Sequence, residues 1–182
     1  TIVVDGAVTF GSDADRALLL EGWNPKYDLN NGATVYGSIN KFQGTTVINV
    51  NNGSHLNLVH NNGHFEASTI NIGANSAFTL KLTAGKSNGT MTVNLNAPTA
   101  VMNFTADSAF TLSGPITVKT VLNDIAANSM GTQKLGLTAK NVTLSALTLD
   151  IAEGWTRTNK EITEDNYTQY GGMYYLAIDE NG

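Results

Sequence analysis

Shifted by about 22 residues, the middle of this chain falls back onto itself, and a strand-like repeat that short leaves few folds open to it. Thr46-Val47-Ile48-Asn49-Val50, Thr69-Ile70-Asn71-Ile72 and Thr92-Val93-Asn94-Leu95 superimpose, and Ile116-Thr117-Val118 reads as a fourth copy. This alignment gives two aliphatic columns, Ile48/Ile70/Val93/Ile116 and Val50/Ile72/Leu95/Val118, on either side of a polar column, Asn49/Asn71/Asn94/Thr117. Each copy then passes through a small polar step, such as Asn51-Asn52-Gly53-Ser54 or Gly73-Ala74-Asn75-Ser76, into a second apolar run. Those runs are Leu56-Asn57-Leu58, Phe78-Thr79-Leu80 and Val101-Met102-Asn103-Phe104, the last slipped by one residue. Backwards, residues 27–35 fit the same frame, with Leu29 under Val50 and Val35 under Leu56.

Within each copy apolar and polar residues alternate with a period of two, so Ile48 and Val50 share one face of a strand while Asn49 points to the other. One rung cannot bury its own apolar stripe. Rungs stacked at roughly 4.8 Å hide the stripe in a continuous core and pair each strand with its copy above and below. The expected fold is therefore all-β, a single-stranded parallel β-helix of about 22 residues per rung, with right-handed winding as the default. The alternative is an antiparallel β-sandwich or jelly roll, which also suits short strands with regular turns but gives no reason for asparagine to recur in one column.

The coils are expected over residues 1–151, most regular over 27–118. A strand pair, Ile2–Val4 with Ala7–Phe10, comes first. Residues 12–22 could hold a short helix capped at Ser12-Asp13, and are read here as strand. Between about 120 and 132, Leu122, Ile125, Ala126 and Met130 have helix-like spacing and suggest an excursion from a coil. Residues 152–182 change in composition, with Glu153, Glu161, Glu164 and Asp165 near Trp155, Tyr167, Tyr170, Tyr174 and Tyr175, and with a last strand from Met173 to Ile178. They read as a cap or a junction, and Trp155, Tyr167 and Tyr170 as candidate sugar-contacting aromatics.

Only 14% of residues are charged, whereas asparagine, threonine and glycine make up about a third of the chain. Such a surface meets water through amides and hydroxyls. With no cysteine, disulfides and thiol chemistry are excluded, and ten basic residues against a net charge of −5 leave no track for phosphates, so nucleic acid is not an expected partner. No apolar run is long enough to cross a bilayer as a helix, and no membrane insertion is expected.

These repeated apolar-x-apolar strands, followed by turns such as Asn51-Asn52-Gly53-Ser54 and Leu29-Asn30-Asn31-Gly32-Ala33-Thr34-Val35, resemble the passenger region of bacterial autotransporters and related secreted β-solenoid adhesins. The resemblance covers residues 27–118 and, more weakly, 142–151. It implies an exported rod, secreted or displayed on a bacterial cell surface, without catalysis or cofactor, whose partners are host glycan or matrix or another copy of itself.

Chemistry was sought against that expectation. His55, His60 and His64 could meet at one edge of a coil, yet Glu66 is the only acid nearby and His55, preceding an inward Leu56, should face solvent; no metal site is expected. Asp28, Asp107, Asp124 and Asp150 are scattered, with no two read into one column, whereas glycoside hydrolysis needs two carboxylates within roughly 5–10 Å. No nucleophile elbow occurs. The alternative function is a polysaccharide-binding or polysaccharide-degrading β-helix. The candidate binding residues are thus Asn49, Asn71, Asn94 and Thr117, whose outward column would form a flat polar ladder, together with Trp155, Tyr167 and Tyr170.

Overall fold

The computed structural model describes residues 1–60, 65–83, 89–121, 134–151 and 156–175. The chain is an all-β solenoid whose successive turns lie about 23 residues apart. Among the described residues thirteen strands form it: β1 (Ile2–Asp5), β2 (Thr9–Phe10), β3 (Leu18–Trp23), β4 (Lys26–Asn30), β5 (Thr34–Val50), β6 (His55–His60), β7 (Phe65–Ile72), β8 (Ala77–Leu82), β9 (Thr90–Leu95), β10 (Val101–Leu112), β11 (Ile116–Thr120), β12 (Leu137–Leu144) and β13 (Leu147–Ile151). Every pairing between them is parallel, as a coil of stacked rungs demands and a sandwich of hairpins forbids.

Each coil contributes one strand to each of two sheets. The first sheet runs β1, β4, the second half of β5, β7, β9, β11, β13; the second runs β2, the first half of β5, β6, β8, β10, β12, with β3 following β2 and pairing with the middle of β5. The long β5 bends from one sheet into the other and so joins them. Along the inner column Tyr27, Ile48, Ile70, Val93, Val118 and Leu149 the steps are 21, 22, 23, 25 and 31 residues, so the coils lengthen toward the C-terminal end. The second sheet stacks Val35, Leu56, Phe78, Met102 and Leu137 in the same manner. Ile48, Ile70, Val93, Phe78, Leu80 and Phe104 are completely buried between the sheets. Each such side chain stabilises the fold by roughly 1.5–3 kcal/mol relative to exposure.

The turn between the two sheets is the same in successive coils. Asn31-Gly32 and Asn52-Gly53 both take positive φ (58° and 84°, 52° and 77°), the pair that best tolerates this geometry, and each turn closes on a hydrogen bond from Ala33 to the Asn30 carbonyl or from Ser54 to the Asn51 carbonyl. The residues that follow, Ala33, Ser54, Ser76 and Ala100, are all small and all buried, so the corner is tight.

Several expectations need correction. Ile2–Asp5 and Thr9–Phe10 do not pair with each other; they lie in different sheets and each pairs with the next coil. Residues 18–23 are strand, as read, while Ser12 to Ala17 are a loop that bends at Asp13–Asp15 and not the strand expected there. The slip in the third second-sheet run is no bulge: Met102 lies over Phe78 and Phe104 over Leu80 in unbroken register, because that coil is longer. The fourth copy was set two residues out of place, since Val118, not Ile116, lies over Val93. The helix-like stretch at 122–132 lies outside the described residues.

Beyond the coils, Thr156–Arg157 (β14) pairs in parallel with Met173–Tyr174 (β15), and a single 3-10 turn, Tyr167–Tyr170 (η1), lies between them. The strand expected to run to Ile178 stops at Tyr174, since Tyr175 is not strand, and residues 176–178 fall outside the described residues.

Candidate binding face

The outer face of the first sheet carries two columns that run the length of the coils. One is Asp28, Asn49, Asn71, Asn94, Lys119 and Asp150; beside it, two positions earlier on each strand, run Val47, Thr69, Thr92, Thr117 and Thr148. Both point away from the core because they alternate with Ile48, Ile70 and Val93. Three of the four residues expected in one ladder are there. Thr117 belongs instead to the neighbouring threonine column, over Thr92, and Lys119 holds the position assigned to it.

The asparagine column is bonded along its own length. Asn94 Nδ2 donates to Asn71 Oδ1 at 2.7 Å, Asn71 Nδ2 donates to Asn49 Oδ1 at 2.7 Å, and Asn49 Nδ2 donates to the Asp28 carboxylate. Asparagine suits this because its side chain is donor and acceptor at once, whereas a carboxylate only accepts and so ends the series. The ends match that polarity. Asp28, the final acceptor of the series, is held by Lys26 Nζ at 3.2 Å, and Lys119 takes the next position beyond the open Asn94 oxygen, pairing with Asp150 at 3.4 Å. A second asparagine series runs along the turns, from Asn52 to Asn31 at 3.3 Å and from Asn31 to Asp5 at 2.7 Å.

An outward column need not be idle until a ligand arrives. Here the amides face outward and also bond to one another, so the two alternatives of a ligand surface and a stabilising ladder coincide in the same residues. Each asparagine keeps one N–H for solvent or ligand, Asn49 and Asn71 keep one lone pair each, and Asn94 keeps both. The hydroxyls of Thr69, Thr92, Thr117 and Thr148 make no hydrogen bond within the described residues, so this column faces outward with its full capacity. The outcome is a flat, uncharged strip over three coils, closed at both ends by Lys–Asp pairs. The second sheet has a shorter counterpart: Thr138 Oγ1 donates to Asn103 Oδ1 at 2.8 Å and Asn103 Nδ2 donates to Thr79 Oγ1 at 3.2 Å.

Of the remaining sequence candidates, Tyr167 and Tyr170 stand in neither column. Trp155 lies outside the described residues. Tyr167 and Tyr170 begin and end η1, half-buried, on a turn fixed by Asn166: its Oδ1 accepts from the Thr163 N–H at 2.8 Å and its Nδ2 donates to the Glu161 carbonyl at 3.1 Å.

His55 faces solvent as expected, in the outward column between Thr34 and Ala77, while His60 is fully buried between Ile39 and Leu82. The two imidazoles therefore lie on opposite faces of β6, and His64 is outside the described residues. Among the described residues no three histidine or carboxylate side chains come together as metal ligands. Asp28 and Asp150 do share a column, contrary to the reading that no two aspartates do. Five coil steps separate them, roughly 24 Å at the usual strand spacing, which is too far for paired carboxylates in glycoside hydrolysis.

Arg16 is the feature that sequence reasoning missed. From the loop before β3 its Nη1 donates to the Gly37 and Asn57 carbonyls at 3.2 and 2.9 Å, its Nη2 pairs with Asp13 at 2.7 Å, and its guanidinium lies 6.0 Å from the Tyr36 ring centre. It pins that loop across two coils. Only the three-dimensional stacking of residues 37 and 57 shows it.

No family model, curated relative or solved structure matches the chain. No described helix is long and apolar enough to cross a membrane.

Proposed function

We propose that this chain is a non-enzymatic, adhesin-like β-solenoid module, secreted or displayed on a bacterial surface, that mediates attachment to host glycan or matrix or to another copy of itself. The observation that carries this reading is the flat strip of Thr69/Thr92/Thr117 hydroxyls beside the bonded Asn49/Asn71/Asn94 amides, held on a stack of parallel strands. A strip of this kind offers the same weak hydrogen-bonding groups once per coil. Affinity then accumulates through repetition instead of through one deep pocket. The resemblance to autotransporter passengers supports export and display, and the scarcity of charge fits a ligand bound through amides and hydroxyls.

The test is a pair of outward charges, Thr92→Lys with Thr117→Lys, which leave the amide ladder and the core untouched. Binding to immobilised matrix and glycans and sedimentation velocity are measured on both proteins. Loss of attachment or of self-association in the double variant supports the reading; a wild type that neither attaches nor self-associates overturns it, as does a double variant that behaves as wild type.

A further inference from the structure

Trp23, the last residue of β3, leaves 70% of its surface in water, more than any other large apolar side chain among the described residues. The backbone that carries it is unusually well fixed. Asn24 takes a positive φ of 47°, donates its N–H to the Gln43 carbonyl at 2.9 Å, and accepts the Thr45 N–H on its side-chain oxygen at 2.7 Å. Gly44, with φ of 69°, packs so closely that a Cβ there would lie 2.2 Å from the Asn24 Oδ1, and its N–H donates to the Glu66 carboxylate. Three successive coils therefore lock this corner, and the indole projects from a rigid support.

Its neighbours are polar. Parallel register places Trp23 beside Gln43, so the half-buried Gln43 amide stands next to the ring on the same side of the sheet. Glu21, exposed, lies two positions earlier on the strand, in register with Lys41 of the next coil, and Glu66 anchors the corner one coil further on. A broad π face beside an amide and a carboxylate is the chemistry of ring-sugar recognition: the C–H face of a pyranose packs on the indole, while acceptors and donors at its rim take the hydroxyls. With Glu21 set in register with Lys41, the corner brings no net positive charge to draw an anionic sugar, so an uncharged ring is the better match.

We infer that Trp23, Gln43 and Glu21 form a carbohydrate subsite for uncharged pyranose rings. This rests on the reading of the chain as a binding module, but it uses a different surface from the Thr/Asn strip, so either can fail without the other.

The experiment uses the full chain carrying Trp155→Phe, which leaves Trp23 as the one indole reporter, and neutral and acidic oligosaccharides as probes on an array and in fluorescence titration. The expected result is a shift in indole emission with neutral oligosaccharides, a tenfold or greater loss of affinity in Trp23→Ala, a smaller loss in Gln43→Ala, and partial retention in Trp23→Tyr. Because Trp23 is exposed, Trp23→Ala should melt at the parent's temperature, which separates lost binding from lost fold. The Thr92→Lys, Thr117→Lys pair should leave the emission shift intact. Failure of every oligosaccharide to bind, unchanged affinity in Trp23→Ala, or preference for acidic sugars would each overturn the assignment.

Discussion

The coils and the C-terminal segment are built on opposite economies. In the coils Ile48, Ile70 and Val93 are fully buried because each is covered above and below by its own equivalent, and the same contact is made again at every step. Between Thr156 and Tyr175, no described residue is buried, and order comes from a pair of two-residue strands and the Asn166 turn. Repetition lets short strands of modest individual stability share one continuous core, whereas a segment without copies must rely on local hydrogen bonds.

That contrast can be broken most forcefully from inside. Phe78→Ala, at a side chain with no exposure, should cost about 3–5 kcal/mol, read as a fall in urea midpoint; a loss under about 1 kcal/mol would mean that the coils collapse around a hole as a packed core does not. Next comes Gly44→Ala, which combines a positive φ with a clash against Asn24 and should cost about 1–3 kcal/mol by thermal melting. Asn71→Ala removes the middle of the amide ladder and should cost about 1–2 kcal/mol. A double-mutant cycle with Asn49→Ala should return a coupling, and strict additivity would show that the ladder does not act as a unit.

Burial pushes the Tyr27 phenol above its ordinary value of 10.0, so the neutral form is favoured in the fold. Its contribution to stability is complete below pH 10 and is lost as pH rises through the raised value. Tyr27→Phe should flatten that alkaline loss in a series of melts. The smallest effect belongs to the C-terminal segment: Tyr170→Ala should change the melting of the coils by no more than about 0.5 kcal/mol.

The fold was legible because the rung is short and the alternation strict: Leu29 under Val50, Val35 under Leu56 and Ile48 under Ile70 all stand where the columns put them. The misplacement of Ile116 has a physical cause. A slip of one residue turns every side chain to the wrong face and is easily rejected, but a slip of two keeps each apolar residue inward, and only the length of the preceding coil decides it. That length rose from 23 to 25 residues between β7 and β11, which no alternating pattern records. The Asn strip was visible as a column; its internal bonding was not, because amide direction depends on which neighbour receives the hydrogen. Trp23 and Arg16 escaped notice because each acts through residues about 20 or more positions away.

Since all the Asn49, Asn71 and Asn94 amides hand their hydrogens the same way, the strip has a head and a tail. New coils could be spliced into the rod wherever an asparagine keeps that sense of transfer. An aspartate in the place of Asn71 would divide it into two short runs, each with its own terminus.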